Sequence, residues 1–124
     1  AAIRYITNGT YLGIINEMLE KEVAEELQPL KARVVEMVQL YEQALDYVKQ
    51  AQDQEVQDFL ARRLYNMTGD IVMSLLILED ATRSAELFSK SANVYVRMAQ
   101  AEVMAEHVYI MNFVKEDLPS FRAE

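Results

Sequence analysis

The sequence predicts an all-α fold: an up-down-up antiparallel bundle of three long helices with an additional N-terminal helical segment. Three observations carry this. Helix breakers are scarce, with three Gly and two Pro in 124 residues. The mix is rich in Ala, Leu, Glu, Gln, Met and Arg, the stronger helix formers. Three stretches place apolar residues three and four apart, and the connections between them are so short that neighbouring helices must run antiparallel.

The first long helix is expected from Leu30 to Gln50. Its stripe is Leu30, Val34, Met37, Val38, Tyr41, Leu45 and Val48, with charged and amide residues on the other side. Pro29 suits the first turn, where its missing N–H leaves no bond unmade. The second is expected from Gln54 to Arg83, behind Asp53 as N-cap. Its stripe is Val56, Leu60, Leu64, Met67, Ile71, Leu75, Leu78 and Ala81 or Thr82. From Ile71 to Leu78 it is apolar nearly all round, which predicts central burial. Gly69 inside it costs about 1 kcal/mol against Ala, a cost that close approach of a neighbouring helix would explain. The third is expected from Ala85 to Val114, capped by Ser84. Its stripe reads Leu87, Phe88, Val94, Tyr95, Met98, Ala101, Ala105, Val108, Tyr109 and Phe113. Leu118-Pro119-Ser120 ends it, and the remaining residues form a tail.

The opening is harder to read. Asn8-Gly9 between apolar runs is a strong hairpin signal. Two strands without a third are marginal, so the preferred reading is a helix end with Asn8-Gly9 as a left-handed C-cap. Thr10 or Asn16 would cap the next helix. A helix from roughly Leu12 to Leu27 supplies a fourth member through Leu12, Ile15, Met18, Leu19 and Val23. The chain divides at residue 27, with 1–27 a connecting helical segment and 28–124 the bundle domain. The apolar opening and the missing initiator Met predict a piece cut from a longer chain. Ile3, Tyr5, Ile6, Tyr11, Leu12, Ile14 and Ile15 predict self-association through residues 1 to about 20.

Charge narrows the partners. Twenty acidic residues against 12 basic give a net charge of −8. Such a chain binds polyanions poorly, which argues against nucleic acid and against anionic membrane surfaces. Glu17, Glu20, Glu22, Glu25 and Glu26 crowd one solvated stretch. With no Cys there is no disulfide, thiol catalysis or thiolate metal site, which fits a cytoplasmic protein. No apolar run approaches a bilayer span.

Catalytic and metal-binding candidates are few. A di-iron bundle needs Glu-x-x-His on two helices, but this chain has the single His107, and Met104 stands three residues before it. No nucleophile elbow or glycine-rich phosphate loop occurs. Asp70, Glu79 and Asp80 lie on or beside the most apolar helix and are expected to be hydrogen-bonded acids. Tyr41, Tyr47, Tyr65, Tyr95 and Tyr109 are expected in the core or at interfaces. The residues thus nominate no catalytic, cofactor-binding or metal-binding side chain. A free-standing interaction bundle with no enzymatic role is the alternative throughout.

The opening stretch Ala1-Ala2-Ile3-Arg4-Tyr5-Ile6-Thr7-Asn8-Gly9-Thr10-Tyr11-Leu12 resembles a segment of bacterial acyl-CoA dehydrogenases, the flavin-dependent family. There it follows a Tyr-Glu-Gly-Thr motif whose Glu, in many members, removes the substrate α-proton. Residues Leu30 to Val114 resemble the helical extension that larger members carry beyond it. The motif itself is absent here, so no residue inherits the base. The resemblance implies a non-catalytic C-terminal accessory domain that binds no cofactor itself. It would pack on the core, shape an oligomer or cover the acyl-CoA entrance. The implied parent is an FAD-dependent oxidoreductase of fatty acid metabolism that dehydrogenates an acyl-CoA thioester. The implied partners are the dehydrogenase core, further copies of the chain and an electron-transfer partner of the parent.

Overall fold

The computed structural model describes residues 9–118. Four helices account for most of that length: α1 (Thr10–Leu19), α2 (Gln28–Gln50), α3 (Gln54–Arg83) and α4 (Ala85–Asn112). Short 3-10 turns, Glu25–Leu27 and Lys115–Asp117, precede α2 and follow α4. Among the described residues there is no strand, and the fold is an all-α bundle.

Helix α1 is shorter than the sequence suggested. Gly9 sits at its N-cap with φ 85°, the left-handed conformation, and Thr10 is already helical. Asn16 is mid-helix and caps nothing. Residues 1–8, which carry the rest of the hairpin signal, lie outside the described part. The helix stops at Leu19, not at Leu27. Glu17 and Glu20, then Glu22, Glu25 and Glu26, would stack like charges one turn apart along a continuous helix, which is unfavourable. The backbone instead turns extended at Ala24, whose N–H donates to Thr82 Oγ1 at 3.1 Å. Thr82 in turn donates to the Leu78 carbonyl at 2.8 Å, so this connection is fastened to α3.

Helices α2 and α3 follow their sequence signals closely. Pro29 lies in the first turn of α2. Asp53 caps α3 by accepting from the N–H groups of Glu55 and Val56 at 3.0 and 3.1 Å. Between them Gln52 takes φ 48°, a tight reversal at a non-glycine position. Every residue of the expected α2 stripe is buried, with Ala44 added. The α3 stripe from Val56 to Ala81 is buried as expected, joined by Thr68 and Ser74. Ser84 precedes α4 but makes no side-chain cap, in contrast to the expectation. Phe88 N–H bonds its backbone carbonyl instead.

The register of the long helices shows in paired residues. Across α2 and α4, Arg33 meets Gln100 at 2.7 Å and Gln43 meets His107 at 2.9 Å. Beyond them, the Tyr47 hydroxyl donates to the Phe113 carbonyl at 2.7 Å. Across α3 and α4, Phe59 stacks on Phe113 with centroids 5.2 Å apart, and Arg63 meets Glu106 at 2.7 Å. All four helices feed one core, and α1 contributes the fully buried Ile15.

Helix α4 departs most from the sequence reading. Its buried residues are Ala92, Val96, Ala99, Val103 and Ile110. Of the expected stripe, Leu87, Val94, Met98 and Val108 are exposed, as are Ala101 and Ala105. The helix has apolar residues on opposite sides, and the smaller-residue side faces its own bundle.

Leu78 is fully buried on α3, whereas Leu76 two positions away is exposed. Leu78→Ala is expected to lower stability by about 2–5 kcal/mol. Leu76→Ala should stay within about 0.5 kcal/mol. Urea denaturation of the two variants checks the assignment of faces, which equal shifts would contradict.

Candidate functional site

The most distinctive polar arrangement lies in a groove of about 640 Å³ between α3 and α4. Asp70 enters it from α3. Glu102 and Glu106, one turn apart on α4, enter from the other side. Burial pushes the Asp70 carboxyl up to about 7, helped by its hydrogen bond to Glu102 and by the charges of Glu102 and Glu106. Asp70 therefore keeps its proton to higher pH than an ordinary carboxyl and, while protonated, can donate it to Glu102.

Glu106 is neutralised separately. Arg63 pairs with it at 2.7 Å and Asn66 donates to it at 3.3 Å. The Arg63 guanidinium also lies 3.5 Å above the Tyr109 ring, a cation–π contact. The Tyr95 hydroxyl proton is held more firmly than usual by burial first, then by the charges of Asp70 and Glu102. Gly69 borders the groove, and a Cβ there would meet nothing within 4 Å. Close approach of a helix of this bundle therefore does not explain that glycine, contrary to the sequence reading.

The other candidates are dispersed. His107 pairs with Gln43 on α2. Glu79 meets Lys21 at 3.4 Å and Arg83 at 3.8 Å, and Asp80 meets Arg83 at 2.9 Å. Tyr65 packs edge-on against Tyr11 with centroids 5.6 Å apart, tying α1 to α3. Tyr41 is fully buried with an unpartnered hydroxyl, and burial pushes its pKa up to about 12. Among the described residues no group of three His, Asp or Glu could hold a metal ion. No helix there is long and apolar enough to cross a membrane.

Sequence reasoning picked out Asp70 but not its partners. Glu102 and Glu106 lie over thirty residues further along, and only the α3–α4 register brings them close. The same holds at the base of the bundle, where Lys115 pairs with the capping Asp53 at 2.7 Å. That bond, then the cap bond from Val56, holds Asp53 below the usual carboxylate range.

The comparisons identify the bundle. The model of the acyl-CoA dehydrogenase C-terminal family matches residues 7–118. The chain belongs to that family. It is also similar to the crystal structure of the acyl-CoA dehydrogenase family protein from Porphyromonas gingivalis. The TM-score is 0.86 at 40% sequence identity, covering 92% of this chain and 98% of that one. No curated protein matches significantly. As a member of an acyl-CoA dehydrogenase C-terminal family, the chain is a helical C-terminal domain, as the resemblance in its opening residues implied.

Two outcomes test the polar geometry of this acyl-CoA dehydrogenase domain. A carboxyl whose folded pKa is raised stabilises fully below its unfolded value and loses that contribution as pH rises through the folded one. For Asp70 the loss falls between the unfolded value of about 4 and about 7. Asp70→Asn removes that loss, so the Tm of the variant should gain on wild type from about pH 5 to about pH 8. Parallel Tm profiles would contradict the raised Asp70 pKa. Tyr41→Phe deletes a buried hydroxyl with no partner and should leave stability unchanged or higher. A loss above about 1 kcal/mol on denaturation would show that the hydroxyl is bonded.

Proposed function

We propose that this domain is a non-catalytic accessory part of an FAD-dependent acyl-CoA dehydrogenase family protein. The parent reaction is α,β-dehydrogenation of an acyl-CoA thioester. The domain packs on the dehydrogenase core, contributes to the oligomer or covers the acyl-CoA entrance. The division into a connecting segment, 1–27, and a domain, 28–124, belongs to this reading, with α1 of the connecting segment packed on the bundle. A cytoplasmic setting, fatty acid metabolism and an electron-transfer partner of the parent belong to the same reading.

The observation that carries it is the match of the C-terminal family over nearly the whole chain. The exposed apolar residues of α4 support it, since a bundle with a closed core has no other need of them. The flavin does not suit the α3–α4 groove: Asp70, Glu102 and Glu106 line it, and a diphosphate would meet carboxylates. FAD and the catalytic base are accordingly assigned to the parent core.

The isolated chain is expected to purify colourless and to leave a redox dye unreduced with any acyl-CoA. The parent lacking residues 28–118 should keep its flavin and change its assembly state or its KM. Stoichiometric FAD on the isolated chain, or loss of flavin from the shortened parent, would overturn the assignment.

A further inference from the structure

Helix α4 carries two apolar faces. Ala92, Val96, Ala99, Val103 and Ile110 close the core. At about 100° per residue, a second set points the opposite way. In it Leu87 is 74% exposed, Val94 65%, Met98 47% and Val108 59%. Ala101 and Ala105 complete the set. From Val94 the spacing runs four, three, four, three to Val108, the 3.5-residue repeat of a coiled-coil seam. A helix serving only its own bundle would be polar on that side.

We propose that this face of α4 pairs in parallel with α4 of a second copy of the chain. The inference rests on the accessory-domain reading and deepens its oligomer-forming role. Leu87, Val94, Ala101 and Val108 form one set of seam positions, and Ser91, Met98, Ala105 and Asn112 the other. The seam from residue 87 to 112 is about 39 Å long. Its two alanines admit close approach, and of its two polar residues, Ser91 and Asn112, the amide of Asn112 is the kind that fixes register in two-stranded coils.

Charge complementarity selects the second copy as occupant. In a parallel seam a flanking residue faces the one five positions further along in the partner helix. Arg97 then faces Glu102 of the second copy, twice by symmetry. Among the described residues Arg97 makes no ion pair, and Glu102 is bonded only to the acid Asp70. Each is therefore short of the counter-charge that the other copy provides. An antiparallel seam over residues 87–108 is centred near Arg97 and brings that cation beside its own copy. The described part of α1 is a poorer site, because Tyr11, Leu12, Ile15, Met18 and Leu19 pack on the home bundle and Ile14 alone is left exposed.

Sedimentation equilibrium on the 124-residue chain tests this. Wild type should dimerise at micromolar concentrations. Arg97→Glu and Glu102→Arg should each weaken the dimer roughly tenfold. An equimolar mixture of the two should recover it, because both cross-pairs are then attractive. Val94→Glu should dissociate the dimer while thermal unfolding stays close to wild type, which separates the seam from folding. Asn112→Cys, the sole cysteine in that variant, should oxidise to a covalent dimer only if the helices are parallel. A monomer at all accessible concentrations overturns the proposal. So does a dimer that ignores these changes, or one lost only on removal of residues 1–20. None of these outcomes touches flavin retention in the shortened parent, so the wider reading fails or stands separately.

Discussion

The bundle depends on the burial of α3. This 30-residue helix sends Leu60, Leu64, Met67, Ile71 and Leu78 into the core with essentially no exposed area. Helices α2 and α4 both pack on it, and α1 is fastened to it through Tyr65. Burying a leucine-sized side chain contributes about 1.5–3 kcal/mol, so this one stripe outweighs any of the surface ion pairs. The other elements take their places by covering it. The turn at Gln52 and the single residue Ser84 leave the flanking helices little freedom to go elsewhere.

That constraint explains what was legible in the sequence. The bounds of α3 follow from a cap at Asp53 and an unambiguous stripe, and the structure reproduces both. Helix α2 has one apolar stripe and was equally readable. Helix α4 has two, and periodicity cannot tell which of them faces home. Size decides in the structure: Ala92 and Ala99 let α4 settle closely on its neighbours, while Leu87 and Met98 stay outside. Helix α1 was overextended because apolar spacing alone ignores the repulsion among Glu17, Glu20, Glu22 and Glu25. Asp70 stood out as an acid in an apolar neighbourhood, but its partnership with Glu102 needs the inter-helix register. No local pattern encodes that register.

The same division of faces sorts the charged groups. Some of the charge is paired within the domain: Arg63 with Glu106, Lys115 with Asp53, Arg83 with Asp80. Asp70 and Glu102 instead face each other across the α3–α4 groove, and Arg97 is among the cations without an ion pair among the described residues. A helical domain of the acyl-CoA dehydrogenase family thus closes its own core. It leaves one side of α4 apolar and exposed.

Helix α3 is the element on which the other helices depend. Native-state hydrogen exchange tests it most directly. Amides from Met67 to Leu78 should exchange only through global unfolding, with protection equal to the full unfolding free energy. The ends of α1 and α4 should open at lower cost. Protection greatest in α2 or α4, with the middle of α3 exchanging by local opening, would contradict the account.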